Sequence, residues 1–242
     1  MRKYFNVSLE FDQSRLRDVI ESTIEHNGKG YVCIVDANVF TIAHNSTSYL
    51  NVINSSIGNS CDGSSVALLA SLVYGEKYNV WNGPSIFSYY IEKNYTQLLL
   101  GSTIETAQKI RENLSLMGID SSNIYNLPLP FNQVDEFNYN EISKYINDLS
   151  PDIIWVSLGA PKQELFMNKI EPFLVKGVMF GIGAAFNFYI GRIAMPTFSI
   201  CGLKFIWLAR LFSEPRKQFY RIIPYISLFP RLYFQGRGKL KK

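Results

Sequence analysis

Four short stretches of this chain are apolar almost without interruption: Tyr31-Val-Cys-Ile-Val35, Gln97-Leu-Leu-Leu100, Ile153-Ile-Trp-Val-Ser-Leu158 and Gly177-Val-Met-Phe-Gly-Ile182. A strand wetted on one face alternates apolar and polar residues, so continuous runs bounded by Asp, Asn or Gly describe strands covered on both faces. Between them the period becomes helical. It is clearest over Thr103 to Leu114, where Ile104, Ala107, Ile110 and Leu114 share a face and Glu105 precedes Lys109 by four residues. Strand and helix in alternation predict an α/β fold with a parallel sheet.

The 242 residues suffice for one large domain, or one domain with a small appendage, without disulfide staples. Cys33, Cys61 and Cys201 lie far apart, and two histidines complete no usual zinc spacing with them, which fits a reducing compartment. Charged residues make up only 18% against roughly 25% in a typical domain, leaving apolar surface for a partner or a membrane. The net charge of +4 is uneven: from Leu203 to Lys242 ten Lys and Arg face Glu214 alone, +9, which leaves residues 1–202 at −5. Asn6, Ser8, Glu10 and Asp12 interrupt any leader-like run, and no apolar stretch is long enough to span a bilayer. The expected location is cytoplasmic, peripheral on the inner face of the cytoplasmic membrane.

In an open parallel sheet ligands bind outside the carboxyl ends of the strands. Three junctions there are glycine-rich: Gly101-Ser-Thr-Ile-Glu105, with Ser102 and Glu105 at capping-box spacing; Gly159-Ala-Pro-Lys-Gln-Glu164, with Pro161 suited to the first helical position; and Gly183-Ala-Ala-Phe-Asn187. Amides at helix N-termini favour a diphosphate. Neither GxGxxG with a following ribose-binding acid nor GxxxxGK[ST] occurs, which counts against dinucleotide enzymes and P-loop NTPases.

From about Tyr31 to Arg221 the chain resembles the WecG/TagA/CpsF family of bacterial glycosyltransferases. The likeness is carried by Val35-Asp-Ala-Asn38, Cys61-Asp-Gly63, Leu100-Gly101 leading into Glu105 to Leu114, and Pro128-Leu-Pro-Phe131. Pro151 to Glu164, Gly181-Ile-Gly-Ala-Ala-Phe186 and Gly202 to Arg216 follow in the family's order and spacing. The resemblance implies a Rossmann-like sheet with helices on both faces as a catalytic domain over residues 1–200, and a C-terminal helical, membrane-docking appendage over 201–242. It implies inverting, metal-independent transfer of N-acetylmannosamine or a related hexose from a UDP-sugar to a polyprenyl-diphosphate-linked sugar in cell-surface polysaccharide or teichoic acid synthesis. No cofactor is expected, and the chain has no Asp-x-Asp pair to hold a divalent ion.

By the same resemblance Asp62 is the general base, taking the proton from the acceptor hydroxyl. Arg210 and Arg221 reach the leaving diphosphate, with Lys217 where Arg is usual. Asp36, Asn38, Gly63, Gly101, Ser102, Gly159, Lys162, Gln163, Glu164, Gly183 and Asn187 bind substrate, the diphosphate lying near Gly101 and the Gly159 to Gln163 turn. Asp36 stands where the family has Thr, Asn187 where it has Asp, and Lys77 is the one cation in the segment before Gly83 where the family has Arg. Local alternatives stand beside these roles: Asp36 as a helix cap, Asp62 as an Asx-turn residue, Lys162 as a solvated side chain.

The tail interleaves Phe205, Trp207, Leu211, Phe212, Phe219 and Ile223 with Arg210, Arg216, Lys217 and Arg221, a composition suited to an anionic membrane interface, or to packing on the body or a second copy in a homo-oligomer. A nucleic acid explains the cations but not the aromatic residues among them or the acidic body. Two other readings compete: another Rossmann-like enzyme, such as a methyltransferase or dehydrogenase, and a catalytically silent membrane-bound scaffold.

Overall fold

A computed structural model describes residues 1–193 and 215–240, with side chains described through 193 and from 223 to 237. Six strands form one wholly parallel sheet: β3 (Lys29–Val35), β4 (Gly58–Cys61), β5 (Gln97–Leu100), β6 (Ile124–Leu127), β7 (Ile153–Val156) and β8 (Gly177–Gly181). Their spatial order is β4-β3-β8-β7-β5-β6. A short antiparallel hairpin, β1 (Arg2–Tyr4) and β2 (Val7–Leu9), leads to a parallel bridge between Glu10 and Ser60 beside the β4 edge.

The continuous apolar runs are buried on both faces, as their pattern predicts. One layer holds α1 (Gln13–Glu25), α5 (Gly83–Ile91), α6 (Ile104–Leu116) and α9 (Ala185–Tyr189) around Trp155 and Phe180. The other holds α2 (Ala37–Asn45), α3 (Thr47–Asn54), α4 (Ser64–Tyr74), α7 (Tyr139–Leu149) and α8 (Lys162–Ile170) around Tyr31, Val35 and Met179. In α8, Phe166, Met167 and Ile170 are fully buried, each worth roughly 1.5–3 kcal/mol of apolar transfer. The strand β4, Gly-Asn-Ser-Cys, has no apolar run to betray it. It is held instead by polar satisfaction: Asn59 Nδ2 donates to Ser8 O and Ile53 O, both at 2.8 Å, and Ser60 Oγ donates to Trp81 O at 2.5 Å.

Helix α6 keeps Ala107, Ile110 and Leu114 buried and the Glu105–Lys109 pair at 3.3 Å, but Ile104 faces solvent; Thr106 takes the inward place at the first turn. The capping box expected from Ser102 and Glu105 does not form. Thr103 caps α6 by accepting from Thr106 N at 3.2 Å, Ser102 Oγ turns to Asn126 Oδ1 at 2.9 Å, and Glu105 pairs with Lys109 and Arg192. Pro161 likewise sits one residue outside α8, at its N-cap, rather than at the first helical position.

The C-terminal helix, Pro215–Leu240, runs unbroken through Pro224 and Pro230 and lies against α2 and α4. Tyr225, Leu228 and Leu232 are buried in the same core as the second helix layer, and Tyr225 meets Phe40 edge-on at 6.5 Å. Near its end Gly236 lets the helix come close to α4: a Cβ there would fall 2.5 Å from Val73 Cγ1, so one of the two would have to shift. The opposite face carries Ile223, Ile226 and Phe234, all exposed, at spacings of three and eight residues. No helix among the described residues is long and apolar enough to cross a membrane.

Candidate active site

All six strands point their carboxyl ends the same way, and the turns that follow them collect the residues singled out from the sequence. At the β4 end, Asp62 N donates to Val35 O at 3.0 Å, and its carboxylate Oδ1 accepts from the backbone amide of Gly83, the first residue of α5, at 3.0 Å. Asp62 is therefore not a local Asx-turn residue on this bond; it ties two separate turns together. Gly63 packs against the turn after β3, its Cβ position lying at van der Waals distance, 3.4 Å from Ala37 N and 3.6 Å from Asp36 Cα. Asp36 caps α2, its Oδ1 accepting from Val39 N at 2.9 Å, and half-buried Asn38 lies in the first turn of that helix. Asp36, Asn38, Asp62, Gly63 and Gly83 thus form one acidic corner over β3 and β4.

A second group sits over β7 and β8. Gly159 and Gly183 both adopt positive φ, +75° and +53°, the conformations glycine reaches without strain. Their amides are not free for a ligand: each donates to Gln163 Oε1, at 3.1 and 3.0 Å. Gln163 Nε2 donates to Gly181 O at 2.9 Å and to Glu164 Oε1 at 2.8 Å, while Ser157 Oγ donates to Gly183 O at 2.7 Å. Gln163 is thus almost wholly buried, and Glu164, expected to line the pocket, has no exposed surface at all. Burial, the largest influence, raises the Glu164 carboxyl to about 7, against the lowering effect of hydrogen bonds from Gln163 and Tyr49. Lys162 Nζ lies 5.5 Å over the Phe137 ring, so this cation leans on an aromatic face. Asn187 is half-buried on α9.

A third group surrounds the β5 end. Gly101, at φ +78°, gives its N–H to Leu127 O at 2.9 Å, and a Cβ on it would meet Leu158 Cδ2 at 2.9 Å. Beside it Arg192 reaches Thr106 Oγ1 at 3.2 Å and Glu105 Oε1 at 2.8 Å, a cation that the sequence patterns did not mark. The strands β5 and β7 are neighbours whose chains leave in opposite directions: β5 leads outward to β6 through α6, β7 back to β8 through α8, on opposite layers. Such a reversal opens a crevice at the sheet's carboxyl edge.

Strand order sets the corner at Asp62 well apart from the turn at Gly101. From β4 to β5 there are four strand spacings, about 19 Å at the usual 4.7–4.9 Å each, so Asp62 and Gly101 cannot both touch one diphosphate. Arg210 lies outside the described residues, and Lys217 and Arg221 belong to the C-terminal helix at positions whose side chains are not described. Among the described residues no three of His, Cys, Asp and Glu converge as a metal site requires.

A six-stranded parallel sheet wound on both faces, with acidic and glycine turns at one edge and a reversal crevice, defines a doubly wound α/β protein, a class whose ligands bind outside the strand ends. Residues 3–242 match the model of the Glycosyl transferase WecG/TagA/CpsF family, and the chain belongs to that family of glycosyltransferases. Two relatives share local similarity. The N-acetylglucosaminyldiphosphoundecaprenol N-acetyl-beta-D-mannosaminyltransferase of Bacillus subtilis (strain 168) is 30% identical over 74 residues, 31% of this chain and 29% of its own length. The protein of the same name from Bacillus spizizenii is 27% identical over 77 residues, 32% of this chain and 30% of its own length. The matched stretch therefore spans about 30% of each relative's length.

Proposed function

We propose that this glycosyltransferase moves N-acetylmannosamine or a related hexose from a UDP-sugar to a sugar carried on a polyprenyl diphosphate, with inversion and without a metal, in the assembly of a cell-surface polymer. The names of the two Bacillus relatives supply the donor sugar and acceptor class. The observation that carries the reading is the corner at β3 and β4, where Asp62 is held by the Gly83 amide beside Asp36 and Asn38. A carboxylate fixed at a strand end, half-exposed, is placed to take a proton from an entering hydroxyl.

The roughly 19 Å between the outer groups supports a donor laid along the strand ends with its sugar at the base. The nucleotide end lies over β5 by Gly101, Ser102 and Arg192; the diphosphate crosses the β7 and β8 turns near Gly159, Lys162 and Gly183; the sugar ends at Asp62. Arg210, Arg221 and Lys217 supply positive charge to the departing UDP, the service a metal renders elsewhere. The outer stripe of the C-terminal helix, with Ile223, Ile226 and Phe234 and the exposed Arg231 and Arg237, rests on an anionic lipid surface and brings the lipid-linked acceptor to this edge.

Incubation with a panel of UDP-sugars and a short-chain polyprenyl-diphosphate-N-acetylglucosamine, with EDTA present, tests the reading through UDP release and product mass. A disaccharide-lipid is expected, with turnover falling about 10²- to 10⁴-fold in Asp62→Asn. Undiminished turnover in that variant removes Asp62 as the base. Binding of UDP and vesicles with no product from any donor points instead to a silent scaffold.

A further inference from the structure

The carboxyl of Glu164 is fully buried, yet both of its oxygens are used by different elements. Tyr49 on α3 donates its O–H to Oε2 at 2.9 Å, and Gln163 Nε2 donates to Oε1 at 2.8 Å. The second proton of that Nε2 goes to Gly181 O, and Gln163 Oε1 receives the amides of Gly159 and Gly183. A carboxamide offers two donors and an oxygen with two lone pairs, so every capacity of Gln163 is filled. Turned end for end, it would set its NH₂ against two backbone N–H groups and its oxygen against Gly181 O and Glu164. One orientation is permitted; the Gly159 and Gly183 amides and Gly181 O favour it from the backbone, and Glu164 is the side chain that reinforces it.

We propose that Glu164 is a positioning residue: by fixing the carboxamide of Gln163 it holds the turns after β7 and β8 in the one shape over which the donor diphosphate passes. The ligand half of this statement rests on the donor reading above; the clip itself does not.

Tyr49 makes the clip tolerant of a proton. A phenol both donates and accepts, so when Glu164 takes up a proton on Oε2, the Tyr49 hydroxyl rotates to accept it and Oε1 still receives Gln163. The titratable groups facing Glu164 are Tyr49 from α3, Cys33 from β3 and Asp36 at the start of α2, and none of them is a cation. The same geometry distinguishes two substitutions. In Glu164→Gln the new NH₂ turns to the Tyr49 oxygen and the clip survives; in Glu164→Met both acceptors vanish.

The test measures hydrogen exchange of the Gly159 and Gly183 amides by NMR, with melting curves to establish folding and calorimetry with UDP as the probe. Wild type and Glu164→Gln are expected to match in exchange and UDP affinity. Folded Glu164→Met is expected to exchange both amides about tenfold faster and to bind UDP about tenfold more weakly, the loss of roughly one hydrogen bond's worth of order. Glu164→Leu removes the same acceptor with a shorter side chain and decides the matter if the methionine variant does not fold, whereas Tyr49→Phe, Glu164→Gln keeps a carboxamide oxygen at position 164 on Gln163 Nε2 and should retain slow exchange. Unchanged exchange at both glycines in folded Glu164→Met or Glu164→Leu overturns the clip. Faster exchange with UDP affinity unaltered overturns its role toward the donor, and no UDP binding by wild type itself is a failure of the nucleotide reading, with the exchange data still deciding the clip.

Discussion

At the scale of the residue, the buried carboxyl of Glu164 should write its presence into the pH dependence of stability. Its ordinary value near 4.5 rises to about 7 in the folded chain because burial opposes its charge. Between those two values the folded protein keeps a proton that the unfolded chain has already released, so raising the pH favours unfolding across that interval and has no further effect through this group above it. Urea titrations should show wild type losing roughly 3 kcal/mol relative to Glu164→Gln between about pH 4.5 and 7, the two tracking each other outside it. A flat difference between the two proteins would mean that Glu164 titrates normally. The pair Gln163–Glu164 was visible in the sequence as a motif, but its use was not. The resemblance marks Gln163 and Glu164 as substrate contacts; the positions of Gly159, Gly181 and Gly183 around Gln163 show that it also fastens the turns from within.

Among the elements, the C-terminal helix has two apolar faces with different obligations, and substitutions should separate them. Leu228 is buried against the body, so Leu228→Ala removes methylenes from a packed core and should cost about 2–5 kcal/mol in chemical denaturation while leaving the outer face intact. Ile226 is 62% exposed, and Ile226→Asp should leave the melting temperature nearly unchanged but reduce pelleting with anionic vesicles several-fold. Equal pelleting by both proteins would show that the outer stripe is not what lipids hold. Sequence alone could not divide these faces. Tyr225, Leu228 and Leu232 differ from Ile223, Ile226 and Phe234 in what lies opposite them, α2 and α4 on one side and, among the described residues, an exposed surface on the other. The elements with a distinctive rhythm, β3, β5, β7, β8 and α6, were legible within a few residues. Strand β4 was not, because its buried groups are Asn59 and Ser60, whose stability comes from hydrogen bonds to distant carbonyls.

For the whole molecule, the decisive fact is the order of strands. Residues from Asp36 to Gly183 belong to one edge because every strand is parallel, and that much followed from the alternation of strand and helix. How far apart they stand did not follow, since chain order 3-4-5-6-7-8 becomes the spatial order 4-3-8-7-5-6 and places β4 and β5, successive in sequence, four spacings apart. Charge adds a consequence at this scale: a body of −5 and a tail of +9 should orient the protein tail-first on an anionic bilayer and turn the body away. Vesicle binding should accordingly weaken steeply between 50 and 500 mM salt, on the order of tenfold or more, and be insensitive to salt only if apolar contact alone holds it.

The same helix that would lie on lipid is wedged between α2 and α4, and those two helices begin at the very residues, Ala37 and Ser64, that follow Asp36 and Gly63. On the proposed reading, lipid on the outer stripe would fix the altitude of Asp62 above the bilayer as a constant of the fold. An acceptor would then be selected by stature: the sugar to be extended would have to stand on its diphosphate as tall as that altitude, whatever the length of the chain buried below it.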